Sequence, residues 1–81
     1  IDYTYVYRLR SQPRPDQVYT GCTTNLEQRI KDHNRGHVPH TSKFAPWVLE
    51  VATAFRDKAK ARAFEDYLKS GSGREFARRH F

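Results

Sequence analysis

From Tyr3 to Leu9 the chain alternates: Tyr3, Tyr5, Tyr7 and Leu9 fall on one side, Thr4, Val6 and Arg8 on the other. Alternation is the signature of a strand, because successive side chains leave opposite faces. A proline-punctuated loop, Ser11-Gln12-Pro13-Arg14-Pro15-Asp16, follows, and Val18 to Thr23 resumes an extended pattern. Two extended runs around such a loop predict a hairpin.

The period then changes. Leu26, Ile30 and His33 recur at helical spacing, with Arg29 bordering their stripe and Glu27 and Lys31 set to pair on the outside. Thr24-x-x-Glu27 is a capping box that starts this helix at Thr24, and Asn25 with Gln28 offers a second frame. Gly21 is expected to let the chain turn tightly into the helix, and Gly36 to end it. A loop, His37 to Pro46, leads to a third strand from Trp47 to Phe55. Asp57 caps a second helix whose apolar stripe is Ala61, Phe64 and Leu68, with Glu65 beside it. Ser70-Gly71-Ser72-Gly73 breaks that helix, and Ser72-x-x-Glu75 is expected to open a short basic one carrying Arg74, Arg78 and Arg79. The order β-β-α-β-α-α predicts an α+β fold: a three-stranded, mostly antiparallel sheet flanked by three helices, one domain over residues 1–81.

Charge narrows the partners. Fifteen Lys/Arg against nine Asp/Glu give a formal charge of +6, which favours a polyanion, nucleic acid before membrane. Cys22 is the single cysteine, so no intrachain disulfide forms and a reducing compartment, the cytoplasm, is expected. No apolar run approaches membrane-spanning length and no signal peptide is visible. A chain that starts on Ile1 and contains no methionine is consistent with a trimmed domain.

The residues that carry chemistry are few. Cys22, His33, His37 and His40 lack the spacing of a zinc site, and Cys22 has no neighbouring base, so it reads as a half-buried structural thiol. There is no phosphate-binding glycine loop and no nucleophilic serine motif. What remains is a set of tyrosines, Arg29 and Glu65. Singly each has an ordinary reading: strand aromatics, a solvated arginine, a glutamate paired with Arg62 or Lys69.

Together they resemble the GIY-YIG nuclease family. The first signature tripeptide corresponds to Tyr5-Val6-Tyr7 and the second to Tyr19-Thr20-Gly21, with eleven residues between Tyr7 and Tyr19. The likeness runs on through Thr23, Leu26, Arg29, His33-Asn34-x-Gly36, Thr41-Ser42, Pro46-Trp47, Glu65 and Leu68-Lys69-Ser70-Gly71. It departs where Tyr5 replaces a glycine and Thr20 an isoleucine, and no asparagine follows Glu65. The chain is most similar to small members related to the N-terminal domain of the bacterial excision-repair nuclease subunit.

The resemblance implies a DNA endonuclease of repair or recombination that hydrolyses phosphodiesters with one divalent ion, Mg²⁺ or Mn²⁺, on Glu65, and with no small-molecule cofactor. It implies a site of Tyr7, Tyr19, Arg29, His33 and Glu65, in which Arg29 forks onto phosphate oxygens. Tyr7 is the implied base, with Arg29 and the metal favouring its phenolate, and Tyr19 and His33 orient water or phosphate; His33 is the alternative base. Arg29, Lys69, Arg74, Arg78 and Arg79 are the expected DNA contacts. Phe44 and Trp47 are candidates to stack on bases, with Trp47 better suited to the core. The competing readings are a non-catalytic basic nucleic-acid-binding module and a protein-interaction domain.

Overall fold

A computed structural model describes residues 2–81. Strands β1 (Thr4–Ser11), β2 (Val18–Thr23) and β3 (Trp47–Phe55) form one antiparallel sheet in the order β2-β1-β3. Helix α1 (Leu26–Asn34) follows β2, a 3₁₀ turn (Ser42–Phe44) interrupts the next loop, and α2 (Lys58–Lys69) and α3 (Gly71–His80) close the chain. This is the α+β order that the pattern predicts.

The central strand is apolar on both sides. Tyr7 and Leu9 pack with Trp47, Tyr19, Leu26 and Ile30, which puts α1 on one face. Val6 packs with Ala61, Leu68 and Ala77, backed by Cys22, Phe55, Phe64 and Phe76, which puts α2 and α3 on the other. Two small cores therefore share β1, where Val6 is 2% and Leu9 0% exposed. Each such side chain contributes about 1.5–3 kcal/mol by leaving water.

Two helix starts differ from expectation. The cap of α1 is Asn25, whose side chain accepts from Gln28 N at 3.1 Å, not Thr24. Thr23 Oγ1 in turn accepts from Asn25 N at 3.1 Å, which fixes the second frame. The cap of α3 is Ser70, whose hydroxyl accepts from Gly73 N at 3.1 Å, not Ser72. Ser70 is the only residue between α2 and α3, so the same residue ends one helix and starts the next. The fold-back needs glycine at position 73, since a Cβ there would lie 1.7 Å from the Tyr67 carbonyl oxygen. Asp57 caps α2 as expected, accepting from Ala59 N and Lys60 N, and Glu27 pairs with Lys31 at 3.3 Å.

The loop between α1 and β3 is fastened at its base. Asn34 donates from Nδ2 to Trp47 O at 3.2 Å and accepts from Trp47 N at 2.6 Å. Trp47 is 4% exposed and donates its ring N–H to Thr41 O at 2.9 Å, so it is a core residue and not a surface for bases. Phe44 is half-buried edge-on against it, with ring centroids 6.3 Å apart. Among the described residues no helix is long and apolar enough to cross a membrane.

Candidate active site

The β1–β2 register sets Tyr7 opposite Gly21 and Leu9 opposite Tyr19. The Tyr7 ring lies across the Gly21 backbone. A Cβ at Gly21 would sit 2.4 Å from the Tyr7 hydroxyl, 2.6 Å from Tyr7 Cζ and 2.9 Å from Tyr19 Cε2. Gly21 is inside β2 and does not have positive φ; among the described residues that conformation belongs to Gly36, at φ 79°. The glycine therefore does not serve a turn into α1. It clears the space that Tyr7 occupies.

Helix α1 brings His33 to the same point. His33 is fully buried, and its Nε2 lies 2.9 Å from the Tyr7 hydroxyl while its Nδ1 lies 2.8 Å from Thr41 Oγ1. The Thr41 hydroxyl donates its one proton to Val38 O at 3.2 Å. It must then accept from His33 Nδ1–H, which leaves Nε2 bare to accept the Tyr7 proton. Thr41 thus sets the tautomer, with hydrogen positions assigned by this accounting. Tyr19 stacks into the cluster, its ring centroid 4.7 Å from that of His33 and 6.1 Å from that of Tyr7.

Arg29 reaches this cluster from the flank of α1. Its guanidinium lies beside the Tyr7 and Tyr19 hydroxyls, and its interaction with them, chiefly with Tyr7, raises its pKa further, so it is permanently charged. Its effect on Tyr7 is downward, as expected of a cation beside a phenol. Burial outweighs it, however, and with Tyr19 and Glu65 adding to the rise, the Tyr7 pKa is pushed up to about 12. Tyr7 is therefore a neutral phenol at pH 7: Arg29 favours the phenolate, as expected, but by less than burial opposes it. Burial, then Arg29, pushes His33 below its ordinary value, so it is a neutral imidazole. A neutral donor faces a neutral acceptor, with a fixed positive charge alongside.

Glu65 belongs to α2, which packs on the other face of the sheet, yet its charge adds to the rise in the Tyr7 pKa. Its Oε2 accepts from Lys69 Nζ at 2.9 Å, and the carboxylate is 16% exposed. Among the described residues no group of three or more His, Cys, Asp or Glu side chains gathers. Cys22 is half-buried and its thiol pKa is raised by burial, which makes it a poor nucleophile.

Of the expected cations, Lys69 and Arg74 line a cleft of about 380 Å³ together with Arg8, Val18, Tyr19, Thr20 and Leu68. Arg78 and Arg79 are not among its walls. Both hydrogen-bond Glu75, Arg78 from Nε at 3.0 Å and Arg79 from Nε at 3.2 Å, so part of their charge is already answered.

A model of the GIY-YIG catalytic domain matches residues 3–79. The chain belongs to the GIY-YIG nuclease family. It is accordingly a phosphodiester hydrolase of the GIY-YIG type. A UPF0213 protein of Clostridium perfringens is 39% identical over 66 residues, covering 80% of this chain and 69% of its own length. A UPF0213 protein of Staphylococcus haemolyticus is 36% identical over 69 residues, covering 84% of this chain and 82% of its own length. The structure-specific endonuclease subunit SLX1 of Debaryomyces hansenii is 36% identical over 75 residues, 84% of this chain but 22% of that protein. GIY-YIG nucleases generally depend on a divalent metal.

Sequence reasoning gave no role to Thr41, Asn34 or Arg8. Thr41 and Asn34 stand in the GIY-YIG likeness without a function, and only the fold shows that one fixes His33 and the other the loop bearing Thr41.

Proposed function

We propose that this GIY-YIG domain is a metal-dependent DNA endonuclease in which Tyr7 and His33 act as one proton relay. The observation that carries the reading is the 2.9 Å contact between the Tyr7 hydroxyl and a bare His33 Nε2, beside Arg29. Water positioned at Tyr7 loses its proton to the phenolic oxygen as the phenolic proton passes to Nε2. The resulting hydroxide attacks phosphorus, the opposite P–O bond breaks, the leaving oxygen departs with the bonding pair and takes a proton from solvent water, and His33 is left as imidazolium with Thr41 still holding Nδ1. Tyr7 then passes a proton on without ever standing as a phenolate, which its burial penalises, and the charge ends on His33. The phosphate brings negative charge next to Arg29 and to the new imidazolium, and so offsets the repulsion between those cations. Arg29 presents a planar fork to two phosphate oxygens, and Tyr19 orients the phosphate or the water.

The donor set fits a sparsely held hard cation. Glu65 Oε1 is free of Lys69, and with no carboxylate cluster around it, one Mg²⁺ or Mn²⁺ would complete its shell with waters and substrate oxygens. Bound there, the ion would supply Lewis-acid stabilisation of charge developing on the phosphate. The half-buried, unpaired Cys22 is consistent with a cytoplasmic setting. The name of the yeast relative, a structure-specific endonuclease subunit, supports including branched DNA among the substrates tested.

The test is Glu65→Gln. The Glu65–Lys69 pair is an i,i+4 surface pair contributing a few tenths of a kcal/mol, so folding is unchanged. Nicking of labelled single-stranded, duplex and branched DNA with Mg²⁺ or Mn²⁺ should fall by several orders of magnitude, while affinity measured in EDTA persists or rises. Nicking near the wild-type rate would remove Glu65, and the metal with it, from the reaction.

A further inference from the structure

The relay and Glu65 account for one phosphate, yet the molecule carries a second cationic surface that they do not use. It lies on the α2/α3 side of β2, where Thr20 stands opposite Arg8 and Val18 opposite Arg10 in the register. Near the end of α2 this part of the sheet is flanked by Val18 and Leu68 but is not closed over. It opens instead as the cleft of about 380 Å³ walled by Arg8, Thr20, Lys69 and Arg74, with Tyr19 at one side. Tyr19 also packs on Tyr7 and His33, so cleft and site share a wall.

Arg8 is the unusual member. A central-strand side chain 16% exposed would ordinarily be apolar, but here it is a guanidinium braced from behind. Its Nε donates to Glu50 Oε1 at 2.7 Å, and Arg10 Nε holds the other carboxylate oxygen at 2.6 Å. Glu50 is kept well ionised, chiefly by Arg10 and then by Arg8. Among the described residues the two terminal amino groups of Arg8 have no protein acceptor, and no buried polar side-chain atom is left unsatisfied, so they are open to the cleft. A guanidinium fixed at Nε with its outer face free is preorganised for two oxygens of one anion. The charges around it are Arg8, Arg10, Lys69 and Arg74 against Glu50 and Glu65, a surplus of cations before any ligand arrives.

We infer that this cleft is a second phosphate subsite: Arg8 and Arg74, with the Thr20 hydroxyl, hold a backbone phosphate of the nucleic-acid strand adjoining the one presented to Tyr7 and Arg29. The strand then crosses the free edge of β2, with one phosphate on the α1 side and a neighbour on the α2/α3 side. This rests on the nuclease reading above, and it adds a direction for the strand that the catalytic residues do not define. It also gives Lys69 a place between the two phosphates, on Glu65 at one end and in the cleft at the other.

The experiment reads binding without cleavage, in EDTA, with a labelled oligonucleotide. Arg8→Gln should weaken binding about tenfold or more, the loss of a charge-assisted pair. The slope of log affinity against log salt should become shallower by about 0.7–0.9. Arg10 still holds Glu50 in this variant, and Arg74→Gln, on the exposed face of α3, should give the same losses with no sheet residue altered. Single neutral methylphosphonate linkages walked along the strand supply the decisive comparison. One linkage next to the cut should weaken binding to wild type but not to Arg8→Gln. If Arg8→Gln and Arg74→Gln bind with unchanged affinity and slope, or if no linkage depends on Arg8, the subsite is overturned. A wild-type protein that binds with these dependences but does not nick in Mg²⁺ or Mn²⁺ would instead refute the nuclease reading while leaving the subsite standing.

Discussion

Gly21→Ala puts the catalytic arrangement to a steric test. The new methyl would lie 2.4 Å from the Tyr7 hydroxyl, where ordinary contact begins near 3.4 Å, so the phenol must retreat by about 1 Å or the strand must move by as much. Tyr7 is 1% exposed and packed between Tyr19 and His33, so its ring has no vacant space to enter. Overpacking of this kind costs about 1–3 kcal/mol. In a domain of this size that lowers Tm by roughly 4–8 °C for each kcal/mol. A shift of about 1 Å in the hydroxyl also disturbs its 2.9 Å contact with His33, and a misplacement of that size costs about 10²-fold in rate. Gly71→Ala is the control: a Cβ there meets nothing within 4 Å, and φ is not positive, so the substitution should be neutral or stabilise by about 0.4–1 kcal/mol. Thermal unfolding and nicking of labelled DNA are measured for both variants. A Gly21→Ala protein with wild-type Tm and wild-type nicking would mean that Tyr7 does not need to lie across β2, and the relay would lose its geometric basis.

Two further outcomes follow from the same cluster. Thr41→Val removes the acceptor of His33 Nδ1–H inside a buried site and should destabilise the fold by about 1–3 kcal/mol. Nicking should drop by about tenfold or more, because Nε2 is no longer held bare, and Thr41→Ser should restore most of it; equal nicking by Thr41→Val would dissociate tautomer from activity. On pH, the folded His33 binds its proton less readily than the unfolded residue does, so the unfolded state takes up protons first as pH falls. Stability and nicking should therefore both decline as pH drops below the ordinary histidine value of about 6.5. At the alkaline end the unfolded Tyr7 gives up its proton near 10 and the folded one near 12, so stability should fall as pH rises through that window. Chemical denaturation at stepped pH checks both slopes, and a flat profile at either end would contradict the corresponding burial.

The elements were legible because local rules agree with the fold. Alternation at Tyr5, Val6 and Tyr7, the Asp57 cap and the Gly36 stop all act over a few residues. The misplaced helix starts at Thr24 and Ser72 show where such rules compete: each had a valid capping signature, and the neighbouring hydrogen bonds of Thr23 and Ser70 selected another frame. The family pattern named the residues that gather around Tyr7, but not how burial acts on them. The net rise in the Tyr7 pKa depends on its ring being enclosed between two strands and a helix, which no spacing encodes. Nor does sequence reveal that Gly21 answers to Tyr7, fourteen positions earlier, and not to the helix that follows it.

The Asn34 side chain, giving one hydrogen bond to Trp47 and taking one from it, imitates a neighbouring strand with a single amide. It seals residues 35–46 into a ring, and Thr41, inside that ring, is bonded to His33. Local opening is cooperative where contacts are shared in this way. Lys43 and Arg35, exposed on the ring, are natural cleavage points for a protease, yet fitting either into a protease cleft requires the clasp to part and Thr41 to leave His33. Resistance of the loop to proteolysis and readiness of His33 to take a proton are thus two readings of one opening equilibrium.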